Sequence, residues 1–231
     1  MKRAIPNLIT LLNLSSGATA AFLCLTNQKY IHIAALLIIL AAIFDFFDGF
    51  TARILNTNSE LGKNLDSLAD IISFGTAPAA IAFQLIAEQT TSKLLPFIAI
   101  IIIPFSAIRL AMFNIDPNQK SEFRGLPTPA LALFFVGIAS KAPNNHIFSN
   151  IFFLIISIFT LSILLITKIP MFSLKFKNFK FKNNKLRYIF LLLSLIILIF
   201  FNLIGFTYII ILYILLSIIY ASKTFLNKNN K

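Results

Sequence analysis

Apolar runs longer than the core of a soluble protein requires dominate this chain, as in residues 97–105 and 188–201. Such runs leave no polar helix face to meet water. In lipid, every backbone polar group must find its partner inside the segment, which favours helices. A helix crosses the hydrocarbon core with about 20 apolar residues. That rule predicts spans near 7–26, 31–52, 65–86, 94–113, 127–140, 147–167, 187–203 and 206–222. The last two come from one run that is too long for a single crossing, with Asn202 and Gly205 as the reversal point. The expected fold class is therefore all-α, a polytopic membrane protein of about eight transmembrane helices. Composition agrees: of 231 residues, 58% are apolar and only 12% charged, with a mean hydropathy of +0.87.

A net charge of +12 raises the question of nucleic acid, but the cations are arranged by topology. With the N-terminus on the cytoplasmic side, 17 of the 20 Lys and Arg fall on that side, leaving Lys29, Lys93 and Lys141 outside. Such a bias follows the positive-inside rule, requires an even number of spans and places both termini in the cytoplasm. The alternating run from Lys175 to Lys182 fits anionic lipid headgroups, so the lipid bilayer is the expected partner and nucleic acid is not. The opening Met1-Lys2-Arg3 and its apolar stretch read as a retained first span, because the cleavage-like Ala18-Thr19-Ala20 lies within the span itself. Cys24, alone in the chain, excludes an intrachain disulfide.

Against this background the acids stand out. Five of the eight lie between Asp45 and Asp70. Asp45, Asp48, Gly49 and Ala52 share one helical face, and Asp66 and Asp70, one turn apart, share another with Ser73. Charged groups in a membrane span are costly and mark function. Two helices each presenting two carboxylates make a site for divalent cations with oxygen ligands. Two other readings are neutralisation of the acids by Arg53, Lys63 or Arg109, and a cation transporter, whose acids belong nearer the bilayer midplane.

The stretch reads Asp-x2-Asp-Gly-x2-Ala-Arg-x8-Gly-x3-Asp-x3-Asp from Asp45 to Asp70. This pattern resembles the signature of the CDP-alcohol phosphatidyltransferases at every fixed position. The flanking segments Ile5-Pro6-Asn7 through Asn13, Asp66 through Pro78, Arg109 through Asn114, and Gly125 through Pro129 resemble the bacterial members that use serine. The resemblance implies a six-span helical bundle plus a C-terminal helix pair. It implies that Asp45, Asp48, Asp66 and Asp70 bind two divalent cations, Mg2+ or Mn2+, with Asp70 as the catalytic base. Gly49, Ala52, Arg53 and Gly62 would contact the nucleotide or shape the turn around it.

The implied reaction transfers the phosphatidyl group of CDP-diacylglycerol to L-serine, releasing CMP. Serine's carboxylate suits Arg109, Lys120 or Arg124, and Asn114 either binds serine or caps a span. Pro6, Asn7 and Thr10 line the nucleotide pocket or simply start a helix. A phosphatidylglycerolphosphate synthase, differing in the acceptor alcohol, is the nearest alternative. The expected setting is a bacterial inner membrane, as a homodimer. The expected division is 1–170 as the catalytic membrane domain, 171–186 as a basic cytoplasmic loop, 187–222 as the terminal helix pair and 223–231 as a basic cytoplasmic tail.

Overall fold

The computed structural model describes residues 4–57, 59–116, 123–140, 148, 150–172 and 181–229. Helix α1 (Ala4–Thr26) leads through a short turn, in which the Asn27 side chain accepts from Lys29 N at 3.0 Å, into α2 (Ile31–Ile54). The chain reverses at Asn56, whose φ is 50°, and α3 (Glu60–Asp70) starts on the Ser59 cap. A π turn (Ile71–Thr76) joins α3 to α4 (Ala77–Ala87), so that Glu60–Ala87 is one continuous rod of 28 residues. A 3-10 turn (Leu95–Ile101) opens α5 (Ile102–Ile115). Helices α6 (Thr128–Ala139), α7 (Ile151–Ile166), α8 (Phe181–Phe201) and α9 (Gly205–Asn229) complete the all-α architecture.

Five helical segments among the described residues are long and apolar enough to cross a membrane, while α6 and α7 are apolar but shorter. The longest, Asn184–Ser222, is bent at Asn202, φ 55°, into α8 and α9. The two run antiparallel. Phe190 packs at a tilt against Tyr213 with ring centroids 5.8 Å apart, and Phe201 meets Tyr208 edge-to-face at 5.0 Å.

Some boundaries differ from those expected. The helix expected at residue 65 begins at Glu60, because Ser59 caps it. Helix α8 begins at Phe181, inside the expected basic loop, with a kink at Asn184, and α9 continues past Ser222 to Asn229. Lys2, Arg3, Lys120, Lys141 and residues 173–180, which include Lys175, Lys177 and Lys180, lie outside the described residues.

Small side chains set the packing. Ala34, Ala35 and Ala41 of α2, Ala77 and Ala82 of α4, and Ala20 of α1 are fully buried. Without a hydrophobic force between helices in lipid, close backbone approach gives the dispersion contacts that hold them. Gly17 is the extreme case: a Cβ there would lie 2.4 Å from Ser73 Cα. Helix α6 is the central element, with ten of its twelve residues buried. The two-residue strands β1 (Phe123–Arg124) and β2 (Pro170–Met171) pair antiparallel and tie the turn before α6 to the chain beyond α7.

Candidate active site

Helix α2 carries Asp45 and Asp48 on its inward face, while Phe46, Phe47 and Phe50 on the same turns are 61, 47 and 44% exposed. Helix α3 returns beside it and supplies Asp66. One carboxylate oxygen from each of Asp45, Asp48 and Asp66 lies within 4.8 Å of the others. Asp48 is buried, and its Oδ2 has no hydrogen-bond partner among the described residues. Three carboxylates so close repel one another, and a buried acceptor without a donor is costly. A divalent cation with oxygen ligands relieves both, so the donor set fits one.

The basic side chains that could neutralise these acids each hold a backbone carbonyl. Arg53 Nε donates to Gly49 O at 3.0 Å, Lys63 Nζ to Asn114 O at 3.1 Å and Arg109 Nε to Leu126 O at 3.2 Å. Asp70, one turn beyond Asp66, stands outside the triplet. It is buried and its Oδ1 accepts from Asn13 Nδ2 at 3.5 Å.

Two clefts meet at Asp66 and Lys63. The larger, about 480 Å3, is lined by Asp48, Gly49, Ala52 and Gly62, with Pro6, Asn7 and Thr10 of α1 on its far wall. A Cβ on Gly49 would meet nothing within 4 Å, so this glycine leaves space that the chain itself does not fill. The smaller, about 280 Å3, is lined by Asp70, Arg109 and Asn114 together with the turn at Pro127 and Pro129. Asn114 is not a helix cap; its Nδ2 donates to Ser67 Oγ at 2.7 Å, tying α5 to α3.

The model of the family described as CDP-alcohol phosphatidyltransferase matches residues 3–168. The chain belongs to the CDP-alcohol phosphatidyltransferase family. It is 40% identical over 157 residues to a CDP-diacylglycerol–serine O-phosphatidyltransferase of Saccharomyces cerevisiae, covering 62% of this chain and 56% of that protein. A Mycobacterium leprae protein of the same description is 34% identical over 177 residues, 72% of this chain and 57% of the relative. A Bacillus subtilis one is 38% identical over 136 residues, 57% of this chain and 73% of the relative. The chain thus spans little more than half the length of the yeast and M. leprae relatives.

Within this family member, the two glycines of the motif and Ala52 line the larger cleft, but Arg53 does not; it is exposed and folds back onto its own helix. Arg109 and Asn114 line the smaller cleft, Arg124 sits on β1, and Lys120 lies outside the described residues. The sequence named Asn13 only as the end of a segment of resemblance and gave no role to it, fully buried against Asp70, nor any sign of the π turn that follows Asp70. The turn aims Ser73 at α1, where its Oγ donates to Asn13 O at 2.9 Å, rather than into the cleft with Asp66. An asparagine inside an apolar run was the available signal for Asn13.

Proposed function

We propose that this protein transfers the phosphatidyl group of CDP-diacylglycerol to the hydroxyl of L-serine, giving phosphatidylserine and CMP. The observation that carries the reading is the meeting of two unequal clefts at Asp66, beside the carboxylate triplet. The larger has the volume and the small-residue walls for a cytidine nucleotide. The smaller offers a buried arginine and an asparagine for an amino acid, with Asp70 on its wall.

Asp45, Asp48, Asp66 and Asp70 would hold two divalent cations, Mg2+ or Mn2+. When bound, these neutralise charge on the pyrophosphate and on departing CMP. Gly49 and Gly62 let the nucleotide approach the helix backbones. Arg109, held at Nε by the Leu126 carbonyl, pairs with serine's carboxylate. Asp70 takes the proton as the serine oxygen bonds to the β-phosphorus and the phosphoanhydride P–O bond to CMP breaks. Confinement of both substrates along one line supplies much of the rate advantage. The protein works as a homodimer in a bacterial inner membrane, with both ends cytoplasmic. Residues 1–170 form the catalytic unit, and the helix pair that follows packs against it through α9.

The test is CMP release from CDP-diacylglycerol with serine, glycerol 3-phosphate or inositol, with and without divalent metal. Release with serine alone, requiring metal and lost in Asp70→Asn, is expected. Equal release with glycerol 3-phosphate would replace serine as the acceptor.

A further inference from the structure

Tyr213 lies in α9, beyond the 3–168 stretch that the family model matches, and it is 6% exposed. Its ring packs against Phe172 at 4.9 Å and Phe190 at 5.8 Å, and its hydroxyl donates to Phe172 O at 3.2 Å. Phe172 directly follows β2, whose Met171 and Pro170 pair with β1. From β1 the chain enters Gly125, whose φ is +74° and whose hypothetical Cβ would lie 2.6 Å from Leu165 O; only glycine passes there. Gly125 N donates to Ile169 O at 3.0 Å and Leu126 N to Leu164 O at 2.9 Å. Leu126 O then accepts from Arg109 Nε at 3.2 Å. Arg109 is 3% exposed and lines the smaller cleft, as do Pro127 and Pro129 next along the chain.

We infer that Tyr213 is a positioning residue for the acceptor. Through the Phe172 carbonyl and the β1–β2 pairing it fixes the Leu126 carbonyl, and so the direction in which Arg109 presents its guanidinium to the acceptor's acidic group. The inference rests on the reading of the smaller cleft as the acceptor side. It gives the terminal helix pair a part in the active site that its distance along the chain conceals. A buried arginine on a long, flexible stem needs such a support, because an unanchored guanidinium loses affinity to side-chain disorder.

The test uses the full chain in detergent or nanodiscs, with Tyr213→Phe, which keeps the ring and removes the hydroxyl. The KM for serine should rise about five-fold, the worth of one hydrogen bond, with the KM for CDP-diacylglycerol unchanged. In an Arg109→Lys background the same change should add nothing to the serine KM. Hydrogen exchange at the Gly125 and Leu126 amides should accelerate. Unchanged exchange at both amides overturns the inference, as does a fall in turnover with both KM values intact. If the wild-type protein releases no CMP with serine, the proposed function fails by itself. Faster exchange then still supports the Tyr213 link, and unchanged exchange still overturns it.

Discussion

At the scale of single residues, two glycines show the same residue type used for opposite reasons. A Cβ on Gly17 would strike Ser73 at 2.2 Å from Oγ and 2.4 Å from Cα, which is backbone and cannot step aside. Gly17→Ala should therefore destabilise the protein by about 1–3 kcal/mol, seen as a lowered thermal midpoint in detergent. Gly49 faces open space, so Gly49→Ala should leave that midpoint unchanged or raised, since alanine favours a helix by about 0.5–1 kcal/mol. On the proposed function the same change should raise the KM for CDP-diacylglycerol, because the methyl group projects into the larger cleft. Equal thermal losses in the two variants would refute this contrast. Asp45, Asp48, Gly49 and Ala52 were legible together because one rigid helix fixes their relation whatever surrounds it. Asn13 was not, because its contact with Asp70 crosses 57 positions of chain and depends on how two helices pack. Arg53 shows what spacing leaves open. Its spacing fits the motif, yet its side chain has a carbonyl partner four residues back on its own helix.

At the scale of elements, the positions of the helices followed from apolar length, but their internal geometry did not. The rod Glu60–Ala87 reads as a single period of 3.6, and nothing in Ile71–Thr76 announces a wider turn. That turn follows the buried Asp70 and reorients what comes after, a place where such irregularities often serve function. The start of α3 was misplaced because its first turn is too polar to count as a span; the cap sets it instead. Ser59 Oγ accepts from Gly62 N at 3.0 Å, holding the motif glycine at the mouth of the larger cleft. Ser59→Ala should cost about 1 kcal/mol and raise the KM for CDP-diacylglycerol, with Ser59→Asp restoring both. A thermal loss without any change in that KM would show that the cap serves stability alone.

At the scale of the whole molecule, the all-α, membrane-spanning class could be read from the sequence because lipid permits so few ways to satisfy a backbone. The pairing of α9 with the chain beyond β2 could not, since Tyr213 and Phe172 meet only through the fold. In a Cys24→Ser background, single cysteines at Lys29 and Lys63 should react with a membrane-impermeant reagent from opposite faces. The protein should run at twice its chain mass in mild detergent. Labelling from one face, or a monomeric mass, would remove the orientation or the homodimer. The turns of α2 that hold the acid triplet also turn Phe46, Phe47 and Phe50 outward. The proposed reaction would thus take place one helix radius from the acyl phase. A diacyl product can diffuse away sideways in two dimensions, and its tails never have to be wetted between one turnover and the next.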